Sequence, residues 1–260
     1  MIPSDLLLRA SDLRARRTPF VLATVVRAQR PTSAKAGDSA LVLADGTLDG
    51  FVGGTCAEAT VCSLGLRLLA TGESTLLRIT PSAGADVEDE GSVTVANPCL
   101  SGGALDIFME PMLPPPLVHV LGDAPVARAL VALGGPLGYQ VDAVTDPAAP
   151  IPPDAAAVVV ASHGHDEEPV LAAALRAGVP YVALVASRRR GSAVLSSLDV
   201  DAAAVHSPAG LDIGARTAPE VALSILAEIV ASRPRAAPPP PVVPPSASLL
   251  PVLSPLPVSE

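Results

Sequence analysis

Cys56 is the residue of this sequence whose position most clearly suggests chemistry. It follows two glycines in the stretch GFVGGTCAEATV, at the predicted start of a helix. Thr55 and Glu58 match the capping-box pattern, which would make Cys56 the first helical residue. A thiol at that position faces backbone amides and the positive end of the helix dipole, and both favour the thiolate. The thiolate could bind a soft metal, carry sulfur or attack an electrophile; the alternative is that Cys56 packs as a small apolar residue.

The two glycines before Cys56 bear on whether the thiol can be reached. Gly53 and Gly54 place no side chain on the approach to the helix start, so a ligand or a second backbone can come close. Cys62, six residues further along the helix, points to a different side and is predicted to lie in the core.

Two predicted loops could supply further groups to such a site. In NPCLSGG, Cys99 lies among a proline and two glycines, so the sequence predicts a loop thiol that could meet Cys56 across a cleft. In RAQRPTSAKAGD, Arg30 and Lys35 concentrate positive charge within an acidic chain, as a site for an anionic group would. The simpler alternatives are a turn cysteine and a solvated loop.

The second half of the chain matches a dinucleotide-binding turn only in part. In VHVLGDAPVARAL, Gly122 stands between a predicted strand and a predicted helix. The pattern G-x-G-x-x-G/A requires a second glycine at the position of Ala124, while Ala127 satisfies the third position. Asp146 closes the next predicted strand, where a ribose-binding carboxylate is expected. The sequence therefore indicates this fold more strongly than it indicates nucleotide binding.

Two more polar clusters follow predicted parallel strands, where ligands bind in open sheets. In ASHGHDEE, His163 and His165 could bind a metal, but Asp166 could equally cap the next helix, and the spacing offers no third ligand. The run SRRR, residues 187–190, could bind a phosphate or begin a solvated helix.

The composition limits the classes of partner. In 260 residues, 17 basic and 26 acidic side chains give a formal charge of −9, which opposes binding to nucleic acid. Charges interrupt the apolar residues at the N-terminus, so no secretory leader is predicted, and proline interrupts every uncharged run of membrane-spanning length, so no membrane insertion is predicted. With three cysteines, the chain is predicted to be a cytoplasmic protein with reduced thiols.

The elements that must position these residues form two patterns, and the first is mixed. Residues 20–30 are predicted as a strand, Asp45-Gly46 as a hairpin turn, and 56–71 as a helix that stops at Gly72. TLLRIT, SVTVA and ALDIFME are predicted as three more strands. These elements predict a small α+β domain over residues 1–112.

After the proline-rich stretch PMLPPP, apolar strands alternate with helices. This alternation predicts a Rossmann-like parallel-sheet domain over residues 117–233, which makes the fold class α/β. Its last helix is predicted to begin at a capping box of Thr217 and Glu220. Residues 234–260 are rich in proline and nearly without charge, and they are predicted to be a disordered tail.

Together these motifs resemble the XdhC/CoxI family of accessory proteins for molybdenum hydroxylases. The resemblance rests on four stretches within residues 20–233: RPTSAKAGDSALVLADGTLDGFVGGTCAEATV, NPCLSGGALDIFMEP, VVVASHGHDEEPVLAAAL and HSPAGLDIGARTAPEVALSILAEIVA. The blocks Gly-Gly-x-Cys-x-Glu and Leu-Asp-Ile-Gly-Ala-Arg are specific in combination.

The resemblance implies a maturation factor rather than an enzyme with turnover of its own. Family members are thought to bind the molybdenum cofactor, to protect it while a cysteine desulfurase helps to install its terminal sulfido ligand, and to hand it to apo xanthine dehydrogenase or a related enzyme such as carbon monoxide dehydrogenase. Cys56 would then be the thiol nearest molybdenum, Cys99 a second contact, and Arg30 and Lys35 anchors for phosphate. The other candidate cofactor contacts are Gly53, Gly54, Glu58, Gly122 and Asp146. The sequence leaves open whether the cofactor carries a cytosine nucleotide and whether the protein forms a homodimer.

Two other functions are compatible with the sequence. A NAD(P)-dependent oxidoreductase would use the Rossmann-like domain with His163 or His165 as the acid/base, although Ala124 in place of glycine weakens the case for NAD or FAD. A non-catalytic module would instead dock the desulfurase to its client.

Overall fold

The computed structural model of the chain describes residues 3–81, 84–96 and 103–233. These residues fall into two compact units that divide between Pro114 and Pro115, here called unit 1 and unit 2 in chain order. Cys99 and the predicted tail lie outside the described residues.

Unit 1 is a mixed sheet with a long helix on one face. Its described elements are α1 (Ser4–Ala15), β1 (Phe20–Gln29), β2 (Ser39–Leu43), β3 (Leu48–Gly50), α2 (Thr55–Thr71), β4 (Thr75–Thr80), β5 (Val87–Asp89), β6 (Ser92–Ala96) and β7 (Ala104–Met112). The strand order is β3-β2-β1-β7-β4-β6-β5. Strands β4 and β6 are parallel, and the other neighbours are antiparallel.

Strands β1 and β7 form the centre of this sheet. They pair antiparallel from Phe20 opposite Met112 to Gln29 opposite Ala104. The end of β1 therefore lies next to the start of β7, and the loop that follows β1 begins beside the segment that leads into β7.

Helix α2 covers one face of the sheet through an apolar stripe. Val61, Leu64 and Leu68 are spaced to share one side of the helix, and all three are buried in a cluster with residues of β4 and β7. The helix ends at Gly72, whose φ of 74° is left-handed and whose amide donates to the Leu68 carbonyl over 2.8 Å. The predicted stop of this helix is thereby confirmed.

Unit 2 is a five-stranded parallel sheet with helices on both faces. Its described elements are β8 (Leu117–Leu121), α3 (Pro125–Gly134), a 3-10 turn (Gly135–Leu137), β9 (Gln140–Val144), β10 (Ala155–Val160), α4 (Glu167–Arg176), β11 (Val182–Leu184), α5 (Arg188–Ser197), β12 (Val205–His206) and α6 (Ala218–Ser232). The strand order is β12-β11-β10-β8-β9, and all neighbours are parallel. Helices α3 and α6 pack on one face, and α4 and α5 pack on the other.

The order of these strands defines a switch point in unit 2. From β9 at one edge, the chain crosses to β10 on the other side of β8. The carboxyl ends of β8 and β10 therefore flank the crevice where open α/β sheets bind ligands.

The predicted α/β fold class is confirmed, with an α+β unit followed by a Rossmann-like parallel sheet. Three described elements did not follow from the sequence pattern, namely α1, β5 and β12, whereas α5 begins at SRRR, one of the two alternatives for that run. Strands β5 and β12 have three and two residues, which is too short for a periodic pattern. Helix α1 carries charges along its length, and its only fully buried residues are Leu6 and Leu13.

Helix α6 begins as the sequence predicts. The Thr217 hydroxyl accepts the Glu220 amide over 3.4 Å, and Glu220 Oε2 accepts the Thr217 amide over 2.9 Å, so the capping box is present. Although α6 is largely apolar, none of the helices in the described ranges combines the length and the apolar character needed to span a membrane.

Candidate functional site

Cys56 is exposed and lies in the first turn of α2. The N-cap of this helix is Gly54, so the predicted capping by Thr55 is wrong. Gly54 has an extended backbone, and its carbonyl accepts the amides of Ala57 and Glu58 over 2.8 and 3.1 Å. The first turn therefore closes one residue earlier than the pattern suggests. Cys56 becomes the second helical residue, still at the positive end of the helix dipole.

The two glycines before the helix have different roles. Gly53 is buried with a φ of 140°, and a Cβ there would lie 3.1 Å from Ala57 Cβ and 3.2 Å from Leu105 Cδ1. Gly54 is exposed, and a Cβ there would meet no atom within 4 Å. Gly53 thus allows α2 to pack closely on the start of β7, whereas Gly54 leaves open space next to the thiol.

The loop that follows β1 lies beside Gly53. Ala34 is 4% exposed, and its Cβ lies 3.9 Å from the position that a Cβ on Gly53 would occupy. Arg30 and Lys35, on either side of Ala34 in the sequence, are exposed. The Lys35 amide donates to Asp38 Oδ2 over 2.8 Å, which stabilises the turn. The two predicted anion-binding residues therefore belong to a loop that contacts the start of α2.

Gly103 marks the point where the chain returns to this loop. A Cβ on Gly103 would collide with the carbonyl oxygen of Pro31 and would lie 2.9 Å from Thr32 Cβ. Cys99 precedes Gly103 by four positions and lies outside the described residues. Three segments therefore converge here: the loop after β1, the glycine-rich start of α2, and the start of β7.

Glu58 and Cys62 occupy the remaining part of α2 near the site. Glu58 lies in the first turn and is half-buried. Cys62, predicted to lie in the core, is half-buried and packs against the margin of the apolar cluster beneath the helix. Burial, and to a lesser extent the negative charge of Glu58, raises the pKa of the Cys62 thiol. Cys62 is thus a poorer thiolate than an ordinary cysteine.

Gly122 makes the tight turn between β8 and α3. Its φ is 115°, and a Cβ there would collide with the Ala161 carbonyl oxygen at the end of the neighbouring strand β10. Its amide donates to the Val144 carbonyl of β9 over 2.8 Å. Ala124 is the N-cap of α3 and is 7% exposed, so a side chain stands where the dinucleotide fingerprint has its second glycine. The turn has the expected shape, but the Ala124 side chain narrows the space through which a pyrophosphate would approach the backbone.

Asp146 follows the end of β9 and is exposed. Its Oδ1 accepts the Ala148 amide over 2.9 Å, and its carbonyl accepts the Ala149 amide over 3.1 Å. The carboxylate thus closes its own turn, which accounts for an aspartate at this position without a ribose.

The loop after β10 carries the two histidines singled out by the sequence. His163 and His165 are exposed, and His163 and Asp166 have left-handed backbones with φ of 57° and 51°. Asp166 is the N-cap of α4 by position, but its side chain makes no capping hydrogen bond. In the part of the chain that the structure describes, no group of three or more His, Cys, Asp or Glu side chains is arranged to hold a metal ion.

A buried ion pair in unit 2 did not follow from the sequence pattern. Glu167 is 1% exposed, and Arg190 Nη1 donates to its two carboxylate oxygens over 2.7 and 2.6 Å. Arg190 Nη2 also donates to the Val185 carbonyl over 2.7 Å. Arg190, the last arginine of SRRR, is therefore partly buried and forms an ion pair. The only feature of the sequence that could have indicated this ion pair is that a run of acidic residues and a run of arginines follow two successive strands.

Comparison with known proteins relates both halves of the chain to one family. Residues 13–80 match the profile of the XdhC and CoxI family, and residues 118–229 match that of the XdhC Rossmann domain. The Escherichia coli (strain K12) protein YqeB, described as uncharacterized, is 27% identical over 254 residues, which cover 85% of this chain and 45% of YqeB. The chain therefore spans less than half the length of this relative. A crystal structure of a xanthine dehydrogenase from Bacillus halodurans has 17% sequence identity and a TM-score of 0.43, over 91% of this chain and 98% of that one.

Proposed function

Because the chain belongs to the XdhC and CoxI family, we propose that it binds the molybdenum cofactor, supports its sulfuration and delivers it to an apo molybdenum hydroxylase such as xanthine dehydrogenase. Family membership implies a role in the maturation of molybdenum hydroxylases. In this proposal the cofactor is cargo, and the chain has no turnover of its own. A cysteine desulfurase and the apo-hydroxylase are the partners that such a role requires.

The observation that supports the proposal is the convergence of three segments at Gly53 and Gly103, next to the helix start that carries the exposed Cys56. The cargo combines a metal centre, a flat pterin and a phosphate, so its site needs a soft ligand, open space and positive charge. The start of α2 supplies the thiol and the space beside Gly54, and the loop after β1 supplies Arg30 and Lys35. These donors fit the cargo, although they come from segments that are distant in the sequence.

Each residue has a distinct task in this proposal. Cys56 would contact the metal end of the cargo, because the amides and dipole at the helix start favour its thiolate. Arg30 and Lys35 would bind the phosphate through charge-assisted hydrogen bonds. Glu58 would accept hydrogen bonds from the N–H groups of the pterin, since an ionised carboxylate only accepts.

Cys99 remains a proposed second contact. Cys99 precedes Gly103 by four positions in the sequence. Gly103 packs against Pro31 and Thr32, in the loop that carries the two proposed phosphate anchors. This short separation in the sequence supports Cys99 as a second thiol contact for the same cargo.

Unit 2, taken by itself, is the proposed site for a nucleotide. Gly122 and Asp146 remain the proposed contacts, since they lie beyond the carboxyl ends of β8 and β9. The side chain of Ala124 argues against the alternative of an oxidoreductase that binds a separate NAD or FAD tightly.

Removal of the Cys56 thiol tests the proposal directly. The unaltered protein, purified from molybdenum-replete cells, is expected to contain molybdenum and pterin in equal amounts. Cys56→Ala is expected to retain about tenfold less of both, as for the loss of a group that holds a metal site. Cys62→Ala is the matched control, because it removes a half-buried thiol from the same helix. Metal analysis and pterin fluorescence provide the readout.

Two results would contradict the proposal at different levels. Equal molybdenum and pterin in the unaltered protein and in Cys56→Ala would remove Cys56 from the mechanism. Absence of both from the unaltered protein, even after incubation with free cofactor, would exclude a cofactor carrier and leave a docking module as the remaining role.

A further inference from the structure

A separate cleft lies wholly within unit 2, at the carboxyl ends of β10, β11 and β12. Its volume is about 690 Å³, and it is formed by the loops after these strands together with the first turns of α5 and α6. This volume is typical of sites for small molecules, and this end of a parallel sheet is where such sites occur. None of the residues that converge around Cys56 lines the cleft, so an inference about it does not depend on the proposed function.

One wall of the cleft is positively charged. Helix α5 begins with Arg188, Arg189 and Arg190 and has no acidic residue in its first turn. The positive end of a helix dipole disfavours cations, and the Glu167 carboxylate compensates the charge of Arg190, whereas Arg188 has the more distant Asp212 beside it. Arg188 and Arg190 line the cleft. An acidic chain with a formal charge of −9 thus presents two arginines to an open cleft.

A buried carboxylate holds Arg190 in this wall. The Glu167 side chain is 2% exposed, and the side chain of Arg190 remains 34% exposed. Burial of an ion pair contributes little net stability, because desolvation of the two charges offsets their attraction. The Glu167 carboxylate also accepts the Gly164 amide over 2.9 Å, so it ties the loop after β10 to α5 and holds the Arg190 guanidinium at the cleft. A side chain held in this way loses little further freedom when it binds a ligand.

A second wall of the cleft is apolar. Leu211 and Ile213 line it and are 41% and 52% exposed, and Val221 of α6 lies beside them. The loop that carries them is anchored, because the Gly210 amide donates to Glu228 Oε2 over 2.8 Å. Exposed apolar side chains inside a formed cleft suit a flat apolar group.

From these two walls we propose that the cleft binds a flat heterocycle that carries a phosphate group, as a nucleotide does. The phosphate lies against Arg188 and Arg190 at the start of α5, and the ring lies against Leu211 and Ile213. Asp212 also lines the cleft, and its Oδ2 lies 3.9 Å from Arg188 Nη2. Asp212 therefore competes with an incoming phosphate for Arg188.

Calorimetric titration of the full chain with AMP, at low ionic strength, tests this proposal. AMP is expected to bind one to a chain, and adenosine and inorganic phosphate each at least about tenfold more weakly, because each contacts only one wall. Arg188→Ala is expected to weaken AMP binding by about tenfold, as for the loss of a hydrogen bond between charged groups. Arg189→Ala is the matched control, since Arg189 shares the charge and the helix turn but does not line the cleft.

Asp212→Asn gives a test in the opposite direction. It removes the negative charge that competes for Arg188, so AMP is expected to bind about threefold more tightly. Arg188 and Asp212 are 85% and 88% exposed, so neither substitution should impair folding, and a gain in affinity does not arise from misfolding. The proposal is overturned if AMP does not bind, if Arg188→Ala binds it as tightly as the unaltered chain, or if inorganic phosphate alone binds as tightly as AMP.

Discussion

His119 shows, at the scale of a single residue, how a position in a sheet changes the chemistry of a side chain. It lies in the middle of β8, is 2% exposed, and its Nδ1 makes no hydrogen bond of normal length. Asp142 is its neighbour in register on β9, with Oδ2 3.6 Å from that nitrogen. Burial lowers the pKa of the His119 ring, and the Asp142 carboxylate opposes this shift only in part.

Acid is therefore expected to destabilise unit 2 through His119. Because the folded pKa lies below the ordinary value of 6.5, the unfolded state takes up a proton first as the pH falls. The contribution of His119 to stability is complete above about pH 6.5 and is lost below it, by at most about 1.4 kcal/mol for each pH unit. Urea unfolding of His119→Leu between about pH 7.5 and about pH 5 should show a flatter pH dependence than the unaltered chain.

If His119→Leu retained the pH dependence of the unaltered chain, the acid sensitivity would have another origin.

At the scale of elements, the contact between α2 and β2 favours glycine over alanine at a position inside a helix. Gly65 lies inside α2, where alanine is favoured over glycine by about 1 kcal/mol on helix propensity alone. A Cβ on Gly65 would lie 2.9 Å from Val42 Cγ1, and Val42 is fully buried in β2. Gly65 therefore sets how closely the helix approaches the sheet.

Gly65→Ala is expected to lower the free energy of unfolding by about 1 kcal/mol. Overpacking costs about 1–3 kcal/mol, which we expect to exceed the gain in helix propensity, since Val42 is fully buried and its β-branched side chain is stiff. Ser63→Ala, at an exposed position of the same helix, should leave stability unchanged or raise it slightly. Urea denaturation of both variants checks the prediction; if Gly65→Ala were the more stable of the two, α2 would not be held by this contact.

At the scale of the whole molecule, each apolar cluster is built within one unit. Leu77 belongs to the cluster beneath α2 in unit 1, and Leu184 belongs to the cluster beneath α4 and α5 in unit 2. Both side chains are fully buried. Each of these two side chains therefore stabilises the unit in which it is buried.

Substitution of a core leucine is therefore expected to destabilise the unit that contains it. Leu77→Ala should cost about 2–5 kcal/mol and reduce amide hydrogen-exchange protection in residues 3–114 alone. Leu184→Ala is the reciprocal variant and should reduce protection in residues 115–233 alone. Hydrogen exchange followed by mass spectrometry gives both profiles, and loss of protection across both units in either variant would show that they unfold together.

Local sequence determined most of the secondary structure and several of its ends. The apolar, β-branched run of β1, the turn at Asp45-Gly46, the stop at Gly72 and the capping box of Thr217 and Glu220 all occur as predicted. Each depends on residues within a few positions of one another, so the interactions that produce it are already present in a short stretch of chain.

The tertiary structure alone decided which candidate residues meet. Gly103 packs against Pro31, and Arg190 reaches Glu167 from 23 residues away, although no periodicity or spacing links these positions. Even the N-cap of α2 is Gly54 and not the predicted Thr55, because a capping pattern identifies residues that can cap, whereas the backbone conformation decides which one does. Turns, caps and propensities act over a few residues, but a site is a contact between distant segments, and its energy comes from packing that no local pattern contains.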